Sequence, residues 1–435
     1  MSQSPFHLGW FMNFTPGDWD SDFAVGGAPW DGKFYTDMAQ ALERACFDYM
    51  MLEDTVMVSE SYGGSTEAAL RHALMVPKHD PMPLAALLGA ATTHLGVVAT
   101  MTTLAYPPFL LARLCSTLDH LTGGRFGWNI VTSGEDAAAQ NFGLEKLPPR
   151  ELRYEMADEY VDLVCRLFDS WDPDAVVMDR ERGIYADHTK VRPIHFEGKY
   201  FKSRGPLNTV RSPQGRVAFV QAGGSPRGRA FAARWADSII ATANGIAGMK
   251  AYRDDVRAHA VKFGRNPDDI KVLFLIYPFL GDTEAEARAK HQRLVNSPKF
   301  VEMTLAFMSS ITDIDFSKFP LDEPLPHLTT NGEQGSLDKF CQWGSGKTLR
   351  TLAAERFGAP DDINLIGTPR QVAATMGEVM RDVGGDGFLI STPFQRTSRR
   401  YITEITEGLV PALQALGLTR TRYTKPTLRE TLTEF

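Results

Sequence analysis

The sequence predicts an α/β fold: a (β/α)8 TIM barrel with insertions, in one domain covering residues 1–435. Three observations predict it. Short apolar runs of strand length alternate with longer amphipathic stretches, and eight such strand–helix pairs follow one another along the chain. Composition does not change between the two halves. At 43% hydrophobic and 23% charged it is that of a globular protein with a large core. Finally, the segment 118–143, LDHLTGGRFGWNIVTSGEDAAAQNFG, displays one complete unit: the end of a helix, a Gly-Gly stop at Gly123-Gly124, a buried run over 125–131, and a polar exit loop. In a parallel barrel the loops after the strands carry the chemistry, so residues 129–133 belong at an active-site rim.

Taken in order, residues 7–13 (HLGWFMN) are nearly unbroken apolar sequence, as a strand buried on both faces requires. A Gly-, Asp- and Trp-rich loop over 15–32 leads to a helix over 34–45, and 47–52 form the second strand. Residues 55–81 are longer than an ordinary connection and are expected to form part of a pocket wall. A helix over 84–92, a strand over 95–103 and a helix over 108–121 follow. After the fourth strand, 151–168 read as a strongly amphipathic helix. Residues 171–213 read as an acidic, turn-rich insertion with a hairpin around 195–201. Strands are expected at 217–221, 238–241 and 272–279, with helices from Ser225-Pro226, over 247–263 and over 283–294. Residues 297–364 have weak periodicity and many polar turns, and are expected to be a long insertion and a lid. A helix over 368–383, the eighth strand at 387–391 and a last helix over 401–416 complete the series.

The net charge of −7 argues against nucleic acid or an anionic membrane as partner. Four scattered cysteines without a CxxC pair fit reduced thiols and a cytoplasmic location. The start, MSQSPFHLGW, has neither a basic nor an apolar signal region, and no run of about 18 apolar residues suggests a membrane span. The ten histidines never lie closer than seven apart, so no helical His pair exists and no metal site is expected. WGSGKT at 343–348 ends like a phosphate-binding P-loop, but Cys341 stands where that pattern needs Gly and no buried strand precedes it. No G-x-G-x-x-G follows a strand, so no Rossmann-type nicotinamide site is expected.

The strongest candidate for chemistry is QAGGSPRG, residues 221–228. A strand meets a helix start through two glycines, which lets an anion approach bare backbone N–H groups at the positive end of the helix dipole. Ser225 adds a hydroxyl, and Arg227 or Arg229 can add charge. A plain strand–helix turn with a serine cap would look the same. Asp54 ends the second strand, where a carboxylate can accept hydrogen bonds from a cofactor or substrate; from the residues alone a loop or helix-capping role is the better supported. Thr100 and Thr102 share one face of the third strand, as would also follow from β-propensity alone. Asn129 is polar within an apolar strand and needs a partner, either a ligand or a neighbouring strand. Phe11, Phe14 and Trp128 are candidates for an apolar substrate pocket, with barrel core as the alternative.

LTGGRFGWNIVTS followed by NFG resembles the flavin-dependent monooxygenases of the bacterial luciferase-like superfamily. Within it, the sequence is most similar to the branch holding nitrilotriacetate, dibenzothiophene sulfone and dimethylsulfide monooxygenases. The resemblance recurs in ALERACFDYMMLED, LLARLCSTLDHLTGGR, RYEMADEYVDLV, KVRPIHFEGKYF, QAGGSPRGRAFAARWAD and TLRETL, and so spans most of the chain. It implies a barrel that binds reduced FMN delivered by a separate NAD(P)H:flavin reductase, reacts it with O2 and oxygenates a small organic substrate. Organosulfur and heterocyclic compounds are among the classes such enzymes attack. It places the FMN phosphate at Gly224 and Ser225, and the flavin ring near Asp54, Thr100, Thr102 and Asn129. Tyr154 matches a family phosphate contact, but its companion histidine is replaced by Arg150, whose guanidinium can bind phosphate bidentately or simply open a helix at the surface. A homodimer or homotetramer is expected. No general acid or base is assigned, because the cofactor supplies the reactive oxygen. Two rival functions are an F420-dependent hydride transfer within the same superfamily and a flavin-independent barrel hydrolase or lyase.

Overall fold

In the computed structural model, residues 5–12, 32–297, 299–356, 363–395 and 397–435 are described. Eight parallel strands close a barrel: β1 (His7–Met12), β2 (Tyr49–Leu52), β3 (Gly96–Thr102), β4 (Phe126–Val131), β5 (Ala218–Gln221), β6 (Ser238–Ala241), β7 (Lys271–Ile276) and β8 (Gly387–Ile390). Each pairs with its neighbours in sequence, and β8 closes on β1 with His7 opposite Gly387. Alternation sorts the side chains. Met51, Val98, Val220, Leu273 and Leu389 pack inside, while Trp10, Met50, Met101, Phe126 and Trp128 pack outward against the helices.

The helices that cover this barrel begin where their caps say. Helix α1 spans Gly32–Arg44. Helix α2 (Pro81–Ala91) opens on Asp80, which accepts from the Met82 N–H at 2.8 Å. The LTGGR motif then has a structural task. Helix α3 (Pro108–Leu121) stops at the glycines, and buried Arg125 donates to the Gly89, Thr92 and Leu95 carbonyls at the end of α2. Helices α4 (Arg150–Phe168), α5 (Pro226–Trp235) and α6 (Gly245–Lys262) complete the first six units.

Several elements differ from expectation for identifiable reasons. The seventh strand ends at Ile276, because Pro278 cannot donate to the ladder. Phe279–Leu280 leaves the barrel and pairs with Ile366–Gly367. Helix α7 (Glu284–Val295) follows. Among the described residues the stretch 297–364 holds three α-helices: α8 (Phe300–Thr312), α9 (Gln334–Cys341) and α10 (Leu349–Glu355). Helix α8 is buried on nearly every side, so it has no polar face to reveal a period. The acidic stretch contains two hairpins, Val176–Asp179 with Ile184–Ala186 and the expected Phe196–Glu197 with Lys202–Ser203. Helix α11 spans Pro369–Val383 behind a complete Thr368–Gln371 capping box. The last long helix, from Arg399, passes through a π turn at Glu404–Leu409 just before Pro411, which lacks the N–H a regular turn would use.

The amino-terminal floor of the barrel is closed by Leu428–Leu432, helix α12. Leu428 and Leu432 join the interior cluster, and a Cβ on Gly96 would come within 2.6 Å of Leu428. Beside them Asp48 accepts from the Leu8 N–H at 2.8 Å and from Arg420 at 2.6 Å, and bonds His7 at 2.8 Å, all fully buried. This seals one end. The opposite end, at the strand carboxyl termini, is open.

Candidate active site

The open end holds a cavity of about 290 Å³. It takes wall residues from the ends of β1 to β8 and from α8, α9 and the segment after α10. Phe11, Asp54, Thr100, Thr102, Arg150, Tyr154, Gly224 and Ser225 all line it, so eight positions singled out in the sequence converge on one space. From the rim expected at 129–133, Ile130 to Ser133 line it.

The β5–α5 turn is built as a cradle. Ser225 caps α5, its hydroxyl accepting from the Gly228 N–H at 3.0 Å. Gly224 lies against Gly335 at the start of α9; a Cβ on Gly335 would come within 2.9 Å of the Gly224 Cα. Two helix starts from distant parts of the chain thus meet backbone to backbone, where only glycine fits. Buried Tyr154 stands beside them, and burial pushes its hydroxyl pKa up, keeping it a neutral donor. Arg150 reaches the Thr330 carbonyl and, at 3.1 Å, the Gly332 carbonyl. Arg153, one turn on, donates to the Asn331 carbonyl at 2.8 Å, and burial followed by the Arg150 charge lowers its pKa to about 10. The two arginines clamp 330–332 onto α4 and bring positive charge to the cavity wall.

Several expected positions lie off the cavity lining. Arg227 and Arg229 do not line the cavity but stand behind the cradle: Arg227 pairs with Asp158 at 2.5 Å and lies over the Tyr154 ring, and Arg229 pairs with Asp255 at 2.5 Å and donates to the Gly224 carbonyl at 2.7 Å. Trp128 does not line the pocket. It lies on the outward phase of β4, fully buried, with its indole N–H donating to the Met101 carbonyl at 3.0 Å and its ring edge-on to Phe219. Asn129 has the inward phase but lies outside the cavity lining. Its Nδ2 donates to Thr100 Oγ1 at 2.9 Å, and its buried Oδ1 has no partner. Phe14 lies outside the described residues.

The rim also carries carboxyls. Asp54 has a pKa raised to about 7, by burial first and by the Glu53 charge second. Glu53 itself pairs with Lys78. Glu135 is raised to about 8, again by burial and then by Glu333. Thr102 shares a hydrogen bond of 2.8 Å with Ser133, which sits at φ 60° and turns the chain out of the strand. Reading the sequence missed Arg153, Glu135, Gly335 and Lys339. Arg153 had a signal, since it follows Arg150 at a spacing of three within a helix. Gly335 and Lys339 had none, because their place depends on contacts far apart in the chain. Among the described residues no group of three or more His, Cys, Asp or Glu is arranged to hold a metal, and no helix is long and apolar enough to cross a membrane.

A closed parallel barrel, sealed at one end and open at the other onto a cavity with a glycine–serine cradle, defines a barrel enzyme whose chemistry lies at the carboxyl rim. Comparison with known proteins gives the family. The luciferase-like monooxygenase family model matches residues 7–387. The dibenzothiophene-sulfone monooxygenase of Rhodococcus erythropolis is 36% identical over 415 residues, covering 92% of this chain and 89% of that protein. Component A of the nitrilotriacetate monooxygenase of Aminobacter aminovorans is 33% identical, covering 96% and 93%. The crystal structure of a riboflavin lyase with modified FMN and riboflavin superposes with a TM-score of 0.89 at 31% identity, covering 99% and 96%. The chain belongs to the luciferase-like monooxygenase family and is a flavin-dependent monooxygenase of that family.

Proposed function

We propose that the cavity binds reduced FMN and that the enzyme uses it with O2 to oxygenate a small organic substrate. The cradle carries this reading: bare backbone at Gly224 and Gly335, the Ser225 hydroxyl, Tyr154 and the Arg150–Arg153 pair converge on one wall, as a phosphate monoester requires. The flavin ring would lie across the barrel mouth toward Thr100, Thr102 and Asp54. The partnerless Oδ1 of Asn129 beneath Thr100 is a polar atom that a ligand or ordered water at this depth would satisfy. The cofactor supplies the activated oxygen. The chain's own residues orient it, exclude water, and hold a proton on the carboxyl of Asp54 near neutral pH.

The name of the Aminobacter relative, a component A, and the absence of a recognisable nicotinamide motif support a separate NAD(P)H:flavin reductase as partner. We expect a homodimer or homotetramer and a cytoplasmic location. The α8–α10 segment, clamped at 330–332, is the proposed lid. The test is to supply reduced FMN from an unrelated reductase under 18O2 with a panel of sulfones, sulfides and heterocycles. Incorporation of one labelled oxygen into a product is expected. No labelled product from any member of the panel, with all of the oxygen consumed recovered as H2O2 as with reductase alone, would count against the reading.

A further inference from the structure

A second cavity, of about 320 Å³, lies beside the first and is not used by the FMN site. Its walls come from α7, the start of α8, and the segment that runs from the end of β8 into the last long helix. Phe279, Leu294, Phe300, Met303 and Pro393 make the lining mostly apolar. The charged groups there are paired or wet: Lys290 donates to Glu404 at 2.9 Å and to the Leu280 carbonyl at 2.7 Å, and Lys299 is exposed. The Tyr401 hydroxyl lies 3.0 Å from both the Pro278 and Ser391 carbonyls, and the Ser398 hydroxyl accepts from the Tyr401 N–H at 3.1 Å. Thr392 is the exception. It lines the cavity and is 6% exposed, yet its hydroxyl has no hydrogen-bond partner among the described residues. A buried hydroxyl takes its partner from whatever fills the space beside it.

Phe394 is a wall that the two cavities share. Its ring stands edge-on to Phe300, which lines the second cavity, at 5.7 Å, and to Phe307, which lines the first, at 6.3 Å. Its backbone is held at φ 55° and ψ 17°, a left-handed conformation that a bulky residue adopts only under constraint. Size points the same way. At about 290 Å³ the first cavity is at the lower end of the range for one small-molecule ligand, roughly 300–1,000 Å³. With a cofactor in it, the body of an organic substrate needs room elsewhere, and the second cavity offers about as much again.

We propose that the second cavity is the site for the body of a neutral, apolar substrate, anchored by one hydrogen bond to the Thr392 hydroxyl, and that the Phe394 ring is the partition between it and the flavin. A charged ligand is disfavoured, because the buried charges of this wall are already paired and a further one would go uncompensated. The assignment to substrate rests on the FMN reading, which fills the first cavity with the cofactor.

The test is equilibrium dialysis of the full chain, with and without saturating FMN, against three probes of similar size: 2-naphthol, naphthalene and the anion 2-naphthoate. The wild type is expected to bind 2-naphthol at one saturable site, about tenfold tighter than 2-naphthoate, and within about twofold whether or not FMN is present. Thr392→Val keeps the shape of the side chain and should lower the ratio of 2-naphthol to naphthalene affinity about fivefold. Leu294→Trp fills the cavity from a half-buried position and should cost 2-naphthol about tenfold, with FMN affinity within about twofold in both variants. Phe394→Gly opens the partition, so its affinity for 2-naphthol should come to depend on FMN by about fivefold. Displacement of 2-naphthol from the wild type by FMN would put the probe in the flavin cavity and overturn the proposal. So would undetectable binding, or affinities unmoved by both Thr392→Val and Leu294→Trp. A Phe394→Gly protein whose 2-naphthol affinity is still indifferent to FMN would overturn the partition. If the wild type binds no FMN but binds 2-naphthol at a site that Leu294→Trp blocks, the cofactor reading fails and the second site stands.

Discussion

At the scale of single residues, Asp54 and Trp128 separate what holds a ligand from what holds the fold. The Asp54 carboxyl is raised to about 7, so the folded state keeps a proton that the unfolded chain, with a carboxylate pKa of about 3.9, releases. Stability linked to this group is therefore full below pH ~4 and is lost as pH rises toward 7. Asp54→Asn should melt higher than the wild type at pH 8 and with it at pH 4. A thermal-denaturation series showing the same offset at both pH values would show that Asp54 is not held protonated. Trp128→Phe makes the converse case. It removes the indole bond to Met101 and should destabilise by about 1 kcal/mol while leaving flavin affinity unchanged. A change in flavin affinity, measured by equilibrium dialysis, would return Trp128 to the pocket. The sequence made Trp128 attractive as a large aromatic beside a polar exit loop. Only the phase of β4 in the closed barrel shows which way it points, and a buried strand that is apolar on both faces conceals that phase.

At the scale of elements, the meeting of the β5–α5 turn with α9 is the feature that builds the cradle. Gly335→Ala would put a methyl within 2.9 Å of the Gly224 Cα, so either α9 or the turn must move. Loss of flavin affinity by about tenfold is expected, together with a lower melting temperature. Unaltered affinity in the same titration would mean that α9 takes no part in the site. The barrel strands and most helices were legible because their apolar runs, caps and glycine stops are local signals; the Thr368 capping box and the Ser225 cap lie where the residues place them. The 297–364 segment was legible only as an interruption. Its first helix, α8, is buried on nearly every side, and the segment's contribution to the cradle comes through contacts of Asn331 and Gly335 with α4 and the β5–α5 turn that no local window contains.

At the scale of the whole molecule, the two ends of the barrel divide the work. The floor is held by the buried Asp48–His7–Arg420 network, and the terminal Phe435 stacks on His7 at 4.5 Å. Arg420→Met leaves Asp48 charged without its guanidinium partner in a dry site. It should cost about 3–5 kcal/mol in urea unfolding, with flavin affinity unaffected in the protein that remains folded. A cost below about 1 kcal/mol would mean the network adds little beyond the plug of Leu428 and Leu432. The mouth, in contrast, gathers half-buried carboxyls, cations and bare glycine backbone, the groups that the proposed function assigns to a phosphorylated cofactor. The measurement that tests this most directly is an anaerobic titration of the full chain with reduced FMN, repeated with reduced F420 and with the Tyr154→Phe and Ser225→Ala variants. Saturable binding of reduced FMN in preference to F420, weakened about tenfold by each substitution, is the predicted result. Preference for F420, or binding of reduced FMN indifferent to both substitutions, would contradict it.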